Sequence, residues 1–161
     1  MPIATSYHSK ITGSYKLDTI FKDITAASKA ITNRIIGCLQ SACYETVKAA
    51  RLLPQPPADM RDTPHQPNYI DDTGLLRESI GFVIYDHGLL VMSNFQGRGA
   101  EVGLQVANDA AAPYKNDICA IVVAGANYAA AVESRGYDVI TGSTRQLMDL
   151  FQSKLKIVFS K

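Results

Sequence analysis

Between Asp18 and Leu52, apolar and small side chains recur at Ile20, Ile24, Ala27, Ile31, Ile35, Leu39, Ala42, Thr46 and Ala50. Steps of three and four trace one stripe of a helix with 3.6 residues per turn. Phe21, Ile36, Cys43 and Val47 flank the stripe, while Lys22, Asp23, Lys29, Asn33, Arg34, Gln40, Glu45, Lys48 and Arg51 take the other side. Asp18 or Thr19 is the expected cap, and Pro54 the stop. A helix of this size spans about 50 Å, more than a small globule needs. It is expected either to cross a sheet or to reach a neighbouring subunit. Gly37 in its interior costs roughly 1 kcal/mol against alanine and marks a bend or a close contact.

Pattern changes divide the rest of the chain. Residues 1–17 lack apolar periodicity and read as an extended arm. Pro54, Pro56, Pro57, Pro64 and Pro67 forbid regular structure across a loop at 53–73, which is either a solvated linker or a binding loop. A turn at Asp72-Thr73-Gly74 leads into Leu75–Ile80, long enough for one helical turn. Gly81–Asp86 and Leu89–Phe95, joined by His87-Gly88, predict an antiparallel hairpin. Gly97, Gly99, Gly103 and Pro113 make 96–117 read as a glycine-rich loop. Ile118–Gly125 is the most apolar segment and the expected centre of the sheet. A short helix is expected at Asn127–Ser134, broken by Gly136, with Tyr137–Ile140 either strand end or loop. Ser143 is placed to cap a last helix running to about Phe159, with Leu147, Leu150, Phe151, Leu155 and Val158 on one face. Strands grouped together with helices at both ends predict an α+β fold. Its long N-terminal helix and C-terminal helix pack on a small, mainly antiparallel sheet, in a single domain at 18–161.

Composition narrows the function classes. The net charge is +1, so the chain is no bulk polycation for coating nucleic acid. Residues 1–52 hold seven of the sixteen Lys+Arg but three of the fifteen Asp+Glu, so the first third is basic and the rest acidic. A solvated face of the long helix explains this asymmetry, as does head-to-tail attraction between copies. No apolar run is long enough to span a membrane, and the first ten residues have no signal-peptide core. Three cysteines, Cys38, Cys43 and Cys119, lack metal-ligand spacing and fit a reducing compartment.

The search for chemistry returns little. His8 lies in the arm, His65 among prolines and His87 in a hairpin turn, where exposed polar roles suffice. No residue spacing suits a metal, so neither metal nor cofactor is expected. Asp59, Asp62, Asp71 and Asp72 read as solubilising loop residues. Gly97-Arg98-Gly99 has its next glycine, Gly103, one position late for a dinucleotide fingerprint. Cys38 and Cys43 are five apart on the helix and read as small core residues. A small hydrolase would need a histidine to meet a nucleophile in a cleft.

Two segments carry a family resemblance: Asp72–Ile80 (DTGLLRESI) and Ala126–Ile140 (ANYAAAVESRGYDVI). With the element order over residues 19–159, they resemble the tail-completion, or tail-terminator, neck proteins of long-tailed bacteriophages. That family shows a long N-terminal helix, a "TG-L-x-x-S-I" segment, strands, a "YA-x-x-x-E-x-G" segment and a C-terminal helix. Here Ser134-Arg135 separates Glu133 from Gly136, a departure from the commonest pattern. The resemblance implies a non-enzymatic virion protein forming a ring at the head–tail junction, six copies favoured and twelve possible. Implied partners are further copies of the chain, the tail tube protein, and a portal, adaptor or head-closure protein. Genomic DNA would pass the lumen without sequence-specific binding, and no membrane is involved. A head-completion adaptor or minor capsid protein on the portal is the alternative within this class. The resemblance assigns assembly roles to Thr73, Gly74, Leu75, Arg77, Ser79, Tyr128, Glu133, Gly136, Tyr137 and Asp138. Tyr128 is expected to bury its ring, Glu133 to pair with Arg135, Arg77 or a neighbour's cation, and Gly136 to take a positive φ.

Overall fold

A computed structural model describes residues 16–53 and 69–160. The expected arm up to residue 15, the proline-rich stretch 54–68, His8, His65, Asp59 and Asp62 lie outside the described residues. The chain divides into two compact units, Met1–Asn33 and Arg34–Lys161. The first helix, α1, covers Leu17–Arg51, as its periodicity predicts. Asp18 falls inside the first turn instead of capping it, where its charge favours the helix dipole. In the first unit the described part of α1 is exposed almost throughout.

The second unit starts with the later turns of α1, whose Cys38, Ala42, Cys43, Thr46, Val47 and Ala50 are buried. It continues with α2 (Leu75–Glu78), the hairpin β1 (Ile80–Asp86) and β2 (Leu89–Asn94), and α3 (Ala100–Ala111). A 3₁₀ turn at Ala112–Tyr114, β3 (Ile118–Ala124), α4 (Ala129–Ser134), α5 (Thr141–Arg145) and α6 (Leu147–Phe159) complete it. The three strands form an antiparallel sheet in the order β2-β1-β3. This is the α+β arrangement the sequence predicts.

Alternation along β1 builds two cores. Ile80, Phe82 and Ile84 face the larger one with Cys43, Val47 and Ala50 of α1, plus Tyr69, Leu76, Ala126, Ala129 and Val139. Val83 points to the opposite face, where it meets Ala107 of α3 and Val123, with Tyr85, Phe95, Leu104 and Ile121 around them. Burying Phe82 and the aliphatic residues completely contributes roughly 2 kcal/mol per side chain.

Three expectations are corrected. The segment 96–117 is mostly helix, because Gly103, Ala107 and Ala111, spaced by four, give α3 a small face that can lie flat on the sheet. Gly103 and Gly125 approach so closely that a Cβ on Gly125 would sit 2.4 Å from the Gly103 Cα. The sheet's centre is β1, not β3: β1 is fully buried over its first five residues, whereas β3 is mostly half-buried at an edge. Finally, the last helix is two, interrupted at Gln146, and Ser143 lies inside α5 instead of capping. The predicted face of α6 still holds, since Leu147, Leu150, Phe151, Leu155 and Val158 are its half-buried apolar positions. Lys154 on the same face reaches Glu45 of α1 at 2.5 Å.

Cys38 and Cys43 are buried and Cys119 is half-buried, all three as free thiols. Burial pushes the Cys43 thiol up to about 11.

Candidate assembly site

The residues singled out by sequence fall into two knots, both in the second unit. In the first, the Asp71 carboxylate accepts from the backbone N–H of Leu76 (3.3 Å) and of Arg77 (2.8 Å). Asp71 is 8% exposed, so it caps α2 from inside the fold and is not the solubilising residue expected. Thr73 accepts from the Leu75 N–H at 3.3 Å, and Gly74 takes φ 74° at the turn. The first N–H groups of α2 are thus satisfied by side chains before the strand begins.

Ser79 joins the two motif segments. Its hydroxyl donates to the Leu76 carbonyl (2.7 Å) and accepts from the Ala126 N–H (2.9 Å). Its own carbonyl accepts from the Gly125 N–H at 3.0 Å. A fully buried serine with both capacities used explains why a polar residue is needed between Glu78 and Ile80. Arg77, the other polar member of this segment, donates to the carbonyls of Arg51 (3.3 Å) and Leu53. Its guanidinium lies 5.5 Å from the Tyr69 ring centre. Arg51 in turn donates to the Ile80 carbonyl (3.0 Å from Nε), so two arginines lock the end of α1 to the start of β1. Leu75 is half-buried beside this knot, and its carbonyl approaches the Gly99 backbone. Arg98 closes the rim, donating to the Thr73 carbonyl at 2.7 Å while its N–H reaches Glu78 at 2.8 Å. Sequence reasoning missed Asp71, Arg51, Glu78 and Arg98. Asp71 was visible as an acidic residue four positions ahead of the Leu75-Leu76 pair, near a helix start; the other three depend on long-range packing.

The second knot surrounds Glu133. The expected ion pair is corrected: one carboxylate oxygen accepts from the N–H groups of Val139 (3.1 Å), Ile140 (2.8 Å) and Thr141 (2.9 Å). The other oxygen accepts from the Thr141 hydroxyl. Gly136, at φ 89° as expected, turns the chain back so that 139–141 can converge on Glu133. Asp138 accepts from the Gly142 N–H (2.8 Å), which anchors the first turn of α5. Tyr137 packs half-buried against the larger core. Tyr128 does not bury its ring as expected; it is 37% exposed beside α4.

Burial is the largest single influence on the Glu133 carboxyl and pushes its pKa up. The hydrogen bonds from Thr141, Ile140 and Val139 together outweigh it, leaving the group below its ordinary value. The ionised form is therefore the one the fold prefers. The resulting stability is complete above the unfolded-state carboxylate range, about pH 4.3, and is lost as pH falls through the lower folded-state value. Glu133→Gln is expected to melt below the wild type at pH 6 to 7, with the gap closing toward about pH 3. Parallel melting curves at all pH values would contradict this account.

His87 stands in the hairpin turn at φ 49°, its Nδ1 2.5 Å from Asp86 and its side chain 68% exposed. Among the described residues no group of three or more His, Cys, Asp or Glu could hold a metal ion. No described helix is long and apolar enough to cross a membrane. No family model matches the chain, and neither a curated protein nor a solved structure matches it.

Apolar surface is plentiful where ordinary surface polarity is expected. Leu17, Ile20, Phe21, Ile24 and Ile31 lie exposed along the first unit's stretch of α1. Leu89, Leu90 and Val91 are exposed on β2, and Val102 and Val106 on α3.

Proposed function

We propose that the protein is a structural component of a tailed-phage virion, assembling as a ring at the head–tail junction in the manner of a tail terminator. One observation carries the reading. In α1, Leu17, Ile20, Ile24, Ala27 and Ile31 repeat at steps of three and four on turns that are exposed from end to end. A helix stripe of this spacing is built to be covered by another helix or sheet. The first unit described by itself leaves it uncovered. The motif knots support the reading in a second way: their polar residues are spent on holding the second unit together. Ser79, Arg77, Asp138 and Glu133 hydrogen-bond within the chain and offer no reactive constellation.

Light scattering behind size exclusion, across several concentrations, tests the proposal. A species of six or twelve copies is the expected result, with twelve favouring the portal-adaptor position. Mixing with purified tail tubes should cap one tube end. A compact dimer at every concentration that leaves tubes uncapped would overturn the proposal. The double variant Phe21→Asp/Ile24→Asp is expected to abolish the large species. Because both positions are exposed, the melting temperature of the second unit should move by less than about 2 °C, consistent with surface substitutions.

A further inference from the structure

The sheet of the second unit has two edges, and neither strand carries the charge or proline that commonly protects an edge. The outer strands read LLVMSN (β2) and ICAIVVA (β3), without one charge or proline between them. Native sheets guard exposed edges with lysines, prolines, bulges or a covering element, because an open ladder is a template for another strand. Among the described residues nothing pairs with the outer side of either strand. β2 carries one bulge, at Val91, which is left without a partner between the Ile84–Met92 and Tyr85–Leu90 pairs; it is the one guarding feature on that edge, and β3 pairs with β1 in unbroken register.

The two edges match each other. Both outer strands run antiparallel to β1, and therefore parallel to one another. They are also level: Asp86 pairs with Leu89 on one side and Ile118 on the other, Tyr85 with Leu90 and Cys119, Ile84 with Met92 and Ala120. Sliding β3 of one copy beside β2 of the next keeps that level and keeps like faces together. Leu90 and Cys119 then share the α3 face, and Met92 and Ala120 share the α1 face.

Neighbouring elements fit the same arrangement. The Leu104 and Asn108 flank of α3 lies toward Phe95 and Tyr85, and the Tyr85 hydroxyl donates to Asn108 at 2.6 Å. Val102 and Val106 lie on the opposite flank, the β3 side, exposed by 44% and 40%. There they can cover the incoming Leu90, itself 49% exposed.

We infer that the β3 edge of one copy pairs in parallel with the β2 edge of the next, continuing a single sheet from subunit to subunit. Such a contact joins two different surfaces, so it propagates head to tail and can close only as a ring. The occupant of each edge is thus a second copy of this chain. The inference rests on the proposed ring and adds the two sheet edges to the α1 stripe as surfaces that hold it together.

The native Cys119 supplies the test. In the paired arrangement it is one strand spacing from Leu90 of the next copy, about 4.8 Å and within disulfide reach. Inside one chain β1 separates the two positions, roughly 10 Å apart and beyond it. Leu90→Cys under mild oxidation is expected to give a ladder of covalent multimers, with the longest band equal to the mass found by light scattering. Leu90→Cys/Cys119→Ser should give none. Val91→Lys, which restores a guarding charge at the edge, should abolish the ladder and the large species without changing the fold.

If the wild type forms six or twelve copies but Leu90→Cys gives no ladder, the edge inference fails and the ring reading stands. A product that stops at dimer and persists without Cys119 would show β2 pairing with β2, which overturns the inference. A protein that stays monomeric at every concentration, without cross-links, overturns self-pairing by these edges. The neck reading would then be judged by tube capping alone.

Discussion

Gly125→Ala is expected to cost roughly 3 kcal/mol or more, one of the largest single-residue effects in the molecule. A methyl group on Gly125 would lie 2.4 Å from the Gly103 Cα, 2.7 Å from its N and 3.0 Å from the Val102 carbonyl carbon. All three obstacles are backbone, so no side chain can swing aside. Relief requires α3 to lift from β3, which opens the small core of Val83, Ala107 and Val123. It also strains the bonds that Gly125 and Ala126 make to Ser79. Gly37→Ala is the internal control, since nothing lies within 4 Å of its missing Cβ. There alanine should stabilise by up to about 1 kcal/mol through helix propensity. Thermal or denaturant melts of the pair should therefore move in opposite directions. A Gly125→Ala melt within 1 kcal/mol of wild type, on the order of the methods' resolution, would refute the close helix–sheet approach.

Arg77→Met is the second. The methionine keeps much of the aliphatic bulk but removes the donors to the Arg51 and Leu53 carbonyls and the cation over Tyr69. Hydrogen bonds from a charged donor contribute about 1.5–3 kcal/mol each, and a cation–π contact about 1. Allowing for the partial access of water to this half-buried site, the expected loss is about 3 kcal/mol. Arg77→Lys should recover less than half of that, because an ammonium cannot reach two carbonyls and lie flat on a ring together. Equal stability of the lysine and wild-type proteins, by denaturant unfolding, would show that only charge matters there.

Much of the fold is legible in the sequence because its signals are local. Steps of three and four fix α1, and two β-rich runs around His87-Gly88 fix the hairpin. α3 is hidden because helix face and flexible loop are written with the same residues: Gly103 reads as a breaker until Gly125 is placed against it. The residues Gly103, Ala107 and Ala111, four apart, are the signal that could have revealed it. β3 misleads in another way, since high apolarity is expected of a buried centre and equally of an edge awaiting a partner. The motif roles were the least legible. That Glu133 takes three backbone N–H groups depends on where Gly136 sends the chain, and no spacing rule encodes that. Ser79 reaches Leu76 at short range, but its partner at Ala126 appears only once the strands are paired.

The cysteines give the molecule a graded chemical clock. Cys43 has no exposed surface, and burial raises its thiol to about 11, so almost none is thiolate at neutral pH. An alkylating reagent can reach it only when the core opens, and its modification rate then reads the free energy of that opening. Cys119, half-buried at the sheet edge, reads the fate of the edge instead. One labelling time course, with the sites separated by peptide mapping, would distinguish loss of the fold from loss of the neighbour. Slowed labelling at Cys119 alone on concentrating the protein would be the signature of an edge being covered.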